Sequence, residues 1–350
     1  ELDSLGAEYN AFTGGQYTCY YAKVQKEKIT KAVDLVSDLY LNPIFNPEEI
    51  EKERGVIIEE INMYEDTPMR RVNELFTALL YGDQPAGWDV AGRKEVIREL
   101  KKDQFETYRT KHYVASKTVV VVAGAFEEKK VLAQIKKTFG ELKKLPAPKK
   151  PKTTEKQSKP ELSIKFKESD QSHLVLGVRA FDVFDKRRYA LQVLADVLGG
   201  GMSSRLFHKV REELGAAYYV RAESDLSLDH GFAAIGAGVD HSKIEAVIKA
   251  VLGEMDRLRT ELVPAEELQK AKDHMIGNFI LGLEGSDELA SYYGGQEIIT
   301  RKVAVPEEVI KKVKAVKAED IRSVAETLFI DKGLNLAVIG PYKSKESFKK

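Results

Sequence analysis

Glu53 and Glu60 lie seven residues apart in a stretch that opens at Asn46-Pro47-Glu48-Glu49. Asn46 is a good N-cap, Pro47 suits the first helical position, and Glu49 can reach back to the cap, so this stretch is predicted to be a helix. Seven residues are about two turns, which puts the two carboxylates on one stripe, roughly 20° apart at about 100° per residue. Ile50, Ile57, Ile61 and Tyr64 form the neighbouring apolar stripe. Glu53 and Glu60 therefore border the buried face, while Glu59 points to the opposite side. A carboxylate at such a border gives up water and needs a cation, a metal or a hydrogen-bond donor. Spacing alone favours the plainest of these, a helix-flank Glu beside a Lys or Arg.

Arg211 and Tyr218 also stand seven apart, and by themselves read as a helix-end Arg and a core Tyr. Gly199-Gly200-Gly201 lacks a following Gly-Lys-Ser/Thr, which argues against a phosphate loop and for a flexible loop or tight turn. The six histidines are His112, His173, His208, His230, His241 and His274. No two of them are spaced i, i+4, and each alone reads as a surface or capped histidine rather than a ligand.

The elements that must position these residues follow from periodicity. Glu8–Thr13 and residues 17–24 alternate in strand fashion around Gly14-Gly15 and read as a hairpin. Residues 28–41 form a helix with Ile29, Ala32, Val33, Leu35, Val36 and Leu39 inward. Helices are also expected over 69–80, 103–112 and 128–140, and a buried valine-rich strand over 118–123 before Gly124. Residues 145–160, with Pro146, Pro148, Pro151 and Pro160 and little but lysine for charge, read as a solvated linker. They lack the aromatic and arginine content of a nucleic-acid arm.

The second half echoes the first at an offset near 217. Pro264-Ala265-Glu266-Glu267-Leu268 matches Pro47-Glu48-Glu49-Ile50, Ala318-Glu319-Asp320-Ile321 matches Lys102-Asp103-Gln104-Phe105, and 334–339 before Gly340 matches 118–123 before Gly124. This predicts an α+β chain of two homologous units, each a mostly antiparallel sheet with helices packed on one face. The first unit is expected over 1–144, the linker over 145–160 and the second unit over 161–350. Only the first copy carries both carboxylates: Ala271 and Asn278 stand where Glu53 and Glu60 would be.

Composition bounds the rest. The chain has 350 residues, enough for two domains, with 43% hydrophobic and 31% charged residues. Lys+Arg and Asp+Glu are both 55, so no net charge draws it to nucleic acid or an anionic membrane. No apolar run reaches spanning length. A single cysteine, Cys19, excludes an internal disulfide and fits a reducing, cytoplasmic compartment. Residues 1–5 read as the end of a helix stopped by Gly6, which implies sequence upstream.

Tyr9-Asn10-Ala11-Phe12-Thr13, the aromatic stretch 17–21 and Glu51-Lys52-Glu53-Arg54-Gly55-Val56-Ile57-Ile58-Glu59-Glu60 together resemble the inverted-zincin metallopeptidases. This is the insulinase/pitrilysin group, and the likeness is to its bacterial members similar to mitochondrial processing peptidase. Leu198-Gly199-Gly200-Gly201-Met202-Ser203-Ser204-Arg205-Leu206-Phe207, then Val210-Arg211-Glu212-Glu213-Leu214-Gly215 and Tyr218, agree. The resemblance runs over nearly all of the chain. It implies a zinc-dependent endopeptidase acting on peptides or unfolded segments in an enclosed chamber, built as a homodimer. It implies Glu60 as a zinc ligand, Glu53 as a catalytic support beside the zinc water, and Asn10, Ala11, Phe12 and Thr13 as a substrate-binding edge strand. It implies Arg211 and Tyr218 as catalytic residues that hold the substrate carbonyl. The departure is that no His-x-x-Glu-His occurs in the sequence. By the family's spacing that helix falls roughly twenty residues before Glu1, so this chain by itself is expected to hold no zinc and to be inactive. The alternative is a non-catalytic subunit or peptide-binding partner of a related peptidase. The joint presence of Glu53, Glu60, Arg211 and Tyr218 argues for the enzyme.

Overall fold

The structure, a computed structural model, describes residues 1–348. The strands are β1 (Glu8–Thr13), β2 (Thr18–Lys23), β3 (Glu161–Phe166), β4 (Ser172–Arg179), β5 (Ala217–Leu226), β6 (Gly231–Val239) and β7 (Leu334–Gly340). The helices before the linker are α1 (Ile29–Leu41), α2 (Pro47–Glu65), α3 (Pro68–Tyr81), α4 (Lys94–Glu99), α5 (Lys102–His112) and α6 (Glu128–Phe139). Those after it are α7 (Arg188–Gly199), α8 (Ile244–Thr260), α9 (Ala265–Leu281), α10 (Ser286–Thr300), α11 (Pro306–Ala315) and α12 (Ala318–Leu328). The chain is α+β, as expected. The repeat is legible in its caps. The backbone N–H of Lys101 donates to Gln104 Oε1 at 2.8 Å before α5, and that of Lys317 donates to Asp320 Oδ2 at 2.8 Å before α12.

Two compact units form, and each is discontinuous in sequence. One takes Glu1–Ile61, Val90–Lys150 and Leu281–Val303, the other Asn62–Asp89, Pro151–Ile280 and the chain from Ala304 on. Contiguous halves are expected from the sequence, whereas α3 belongs with the second half and α10 with the first. These two helices begin at Pro68 and Ser286, 218 positions apart, so they are the same element of the repeat.

In the first unit β1 and β2 make a hairpin with Glu8 opposite Lys23 and Thr13 opposite Thr18, closed by Gly14 N–H donating to Tyr17 O at 2.9 Å. Tyr20, Tyr40, Tyr113 and Phe139 cluster beneath it, with ring centroids 5.1–6.0 Å apart for Tyr40 against the other three. On α1, Ser37 is buried and Leu39 is 55% exposed, the reverse of the expected inward Leu39. Along α10, Asp287 pairs with Lys23 at 2.8 Å and Gly294 lies against Val121. Residues 118–123 are not the buried strand their valines predicted. They have no ladder partner among the described residues, and Val120 and Val121 are exposed. β-propensity reflects fit to a pleated surface, and a strand persists only where neighbours take its N–H and C=O groups. The corresponding β7 has such neighbours on both sides.

The second unit is built on the sheet β3-β7-β4-β6-β5, antiparallel except for the parallel β3–β7 pair. Alternation along β4 sends Leu174, Leu176 and Val178 into a core with α7, α8 and α12, and Val175 to the other face. There α3 lays Val72, Phe76 and Leu80, spaced by four, over Val175, Ala234, Ala337 and Ile339.

The second half of the expected solvated linker is instead held by hydrogen bonds. Thr153 is buried. Its N–H donates to Asp229 Oδ2 at 2.8 Å, Thr154 exchanges two 2.8 Å bonds with the Gln84 side chain, and Gln157 Nε2 donates to Leu334 O at 3.0 Å. Thr153, Thr154 and Gln157 are thus tied down by hydrogen bonds, although 154–156 remain exposed.

Candidate functional site

Helix α2 starts as read: the N–H of Glu48 donates to Asn46 Oδ1 at 2.9 Å. Glu49 does not return to the cap but pairs with Lys52 at 2.6 Å. One face of α2 is held down. Ile61 is buried, and Ile50, Arg54 and Ile57 are half-buried. Arg54 donates to the carbonyl of Ile97 and, at 2.8 Å, to that of Leu100, groups which the C-terminal turn of α4 leaves without helical donors. The adjoining face is open. Glu53 is exposed, Glu60 is half-buried, and Val56 and Met63 between and beyond them are 57% and 56% exposed. Glu53 and Glu60 thus share a stripe, and Glu59 is exposed on another side.

Strand β1 is exposed at every residue, including Asn10, Ala11, Phe12 and Thr13. Its only ladder partner among the described residues is β2. Asn10 Oδ1 accepts from the N–H of Ala11 at 2.8 Å, and Phe12 packs edge-on against Tyr17 with centroids 5.7 Å apart. The other edge of β1 is therefore accessible to an extended chain.

In the second unit, Arg211 and Tyr218 are brought together. Arg211 Nη1 donates to the main-chain oxygen of Tyr218 at 2.8 Å, and its guanidinium carbon lies 5.7 Å from the Tyr218 ring centroid. Tyr218 is 74% exposed, not the core residue its sequence context alone implied. The segment Phe207–Glu213 that carries Arg211 is a π-helix, which the sequence did not announce. It is anchored through Arg205, whose guanidinium forks onto Glu267 with two 2.8 Å bonds and lies 3.6 Å from Glu254. The glycines 199–201 all avoid positive φ. A Cβ on Gly199 would sit 2.3 Å from Ala222 N, so close approach of α7 to β5 is what demands glycine there.

All six histidines have local structural partners. His112 stacks on Tyr108, His173 bonds Tyr219, His208 pairs with Glu212, His230 with Asp229, His241 with Ser172 and His274 with Asp196. Burial pushes the Asp196 carboxyl up, and His274 pulls it back. Among the described residues no three His, Cys, Asp or Glu side chains gather in a way that could hold a metal ion. No helix among them is long and apolar enough to cross a membrane.

This geometry has close counterparts. Residues 1–94 match the insulinase family, peptidase family M16, and residues 99–275 match the peptidase M16 inactive domain. A protein of Streptomyces coelicolor described as an uncharacterized zinc protease is 33% identical over 352 residues, spanning 99% of this chain and 76% of its own length. The uncharacterized zinc protease YmxG of Bacillus subtilis is 33% identical over 344 residues, spanning 97% of this chain and 82% of its own. A protease from Helicobacter pylori has the same fold, with TM-score 0.89 at 22% identity over 97% of this chain and 83% of its own. The chain belongs to peptidase family M16, the insulinase family.

Proposed function

We propose that this chain works in a zinc-dependent endopeptidase that cleaves peptides or unfolded protein segments held in an enclosed chamber. The observation that carries the reading is one face of α2, where exposed Glu53, Val56 and Met63 line up with half-buried Glu60. Two exposed apolar side chains interleaved with two carboxylates fit a face that receives another helix and a cation. A catalytic zinc takes three protein ligands. The described residues do not bring three such ligands together, so in this reading the centre is completed by residues outside this set. In this reading Glu60 is one ligand and Glu53 supports the site through a hydrogen bond. A His-x-x-Glu-His helix, which the 350-residue sequence does not contain, brings the remaining ligands and the general base. The accessible edge of β1 at Asn10–Thr13 would take the substrate main chain, and Arg211 with Tyr218 would hold the scissile carbonyl.

A second reading is a non-catalytic, peptide-binding partner. The match of residues 99–275 to a domain described as inactive favours it. The two separate on one experiment, run on the protein that carries this chain together with the zinc-binding helix. Glu60→Gln should lose zinc and peptidase activity together. Glu53→Gln should keep most of the zinc and lose about 10–100-fold in rate, as for a group bonded to a metal site rather than ligating it. Glu59→Gln should change little. Activity that survives Glu60→Gln, or depends on Glu59 instead, would overturn the endopeptidase reading of α2.

A further inference from the structure

Arg211 is held in an unusual way for an exposed arginine. The carboxylates that follow it are committed elsewhere, Glu212 to His208 and Glu213 to Lys209 at 2.6 Å. Among the described residues Arg211 has no carboxylate partner. Two aromatic rings hold it instead. Its guanidinium carbon lies 5.1 Å from the Phe207 centroid and 5.7 Å from that of Tyr218, both within cation–π range. Phe207 is itself fixed in place. It is half-buried, it follows the fully buried Leu206, and the Arg205–Glu267 fork anchors the turn before it.

The choice of rings matters chemically. A carboxylate would take two of the guanidinium N–H groups and cancel its charge. A ring face attracts the cation and takes no N–H in return. With Nη1 spent on the Tyr218 carbonyl, the donors on Nη2 and Nε stay available. The π turn serves the same end, since it is in Phe207–Glu213 that the helix departs from α geometry, and such departures concentrate at functional sites.

We propose that Phe207 is a positioning residue for peptide hydrolysis. Together with the Tyr218 ring it holds Arg211 out of any ion pair and oriented to receive a substrate carbonyl. This rests on the reading of Arg211 given above. Two measurements test it. In the 350-residue chain, the Arg211 Nε–Hε resonance, assigned by its loss in Arg211→Lys, should shift downfield in Phe207→Leu as the ring current is removed. An unmoved resonance would overturn the contact. In the active peptidase, Phe207→Leu should lower kcat about tenfold with KM unchanged, the order of one cation–π contact. Arg211→Ala should be nearly inactive and regain activity when guanidinium ion is added. That rescue should persist in Arg211→Ala/Phe207→Tyr and vanish in Arg211→Ala/Phe207→Leu, with Phe207→Met in place of Leu should the latter not fold. Rescue indifferent to residue 207 would sink the role of Phe207 while leaving that of Arg211. Full activity of Arg211→Ala would sink both.

Discussion

Arg205 and Arg211 sit six residues apart and use the same group in opposite ways. The Arg205 side chain is 9% exposed and forked onto Glu267, with Glu254, itself 7% exposed, at 3.6 Å. Removing one partner of such a buried set leaves charge without compensation, so Arg205→Leu should cost about 3 kcal/mol in urea denaturation of the chain. A loss under 1 kcal/mol would mean the triad is not what anchors the π segment. Arg211 is exposed and has rings for neighbours. The stripe that joins Glu53 to Glu60 was legible because helical periodicity is a local property, whereas the pairing of Arg211 with Tyr218, one on a helix and the other on β5, was implied only by the family resemblance. The part played by Phe207 was not legible. Nothing in the run 207–213 marks a π turn, and the contact depends on where β5 places Tyr218.

At the level of elements, the glycine of β4 is under as much constraint as any core side chain. A Cβ on Gly177 would meet Ala233 O at 2.3 Å, Ala234 Cα at 2.8 Å and Phe76 Cζ at 2.9 Å. Gly177→Ala should therefore destabilise the sheet–α3 contact by about 1–3 kcal/mol, and Phe76→Leu should recover part of the loss by freeing space. Equal stability of Gly177→Ala and wild type in the same denaturation series would refute this. The docked linker makes a second prediction. Partial desolvation raises the Glu155 carboxyl above its ordinary value although the residue as a whole is exposed, with Arg179 and His230 pulling against that and Asp229 adding to it. A carboxyl with a raised folded-state pKa binds its proton more tightly in the folded chain. Its contribution to stability therefore falls as pH rises from the ordinary Glu range through the raised value. Glu155→Gln should be more stable than wild type at pH 7.5 and lose that advantage by pH 4. A constant difference across that range would show that the docked linker does not perturb Glu155. Sequence placed the linker by its prolines, yet Thr153, Thr154 and Gln157 looked solvated because their partners Asp229, Gln84 and Leu334 are remote in the chain.

At the scale of the molecule, the proposed dimer leads to a mixing experiment. We propose that, in the homodimer the family resemblance implies, each active site joins the Glu60 half of one chain to the Arg211/Tyr218 half of its partner. A Glu60→Gln protein and an Arg211→Ala/Tyr218→Phe protein, each nearly inactive, should regain about a quarter of wild-type activity per total site after subunit exchange, given random pairing. No recovery despite proven exchange would place the pair in its own chain or outside catalysis. Periodicity, caps and internal offset already carry the α+β class, the two-unit repeat and the helical stripe of Glu53 and Glu60. Long-range packing set the rest. It assigned α3 and α10 to the opposite units, left 118–123 without a ladder among the described residues, and set Arg211 beside two rings. Each of these depends on which distant surfaces satisfy a segment's backbone groups and apolar face, and no local pattern of residues encodes that choice.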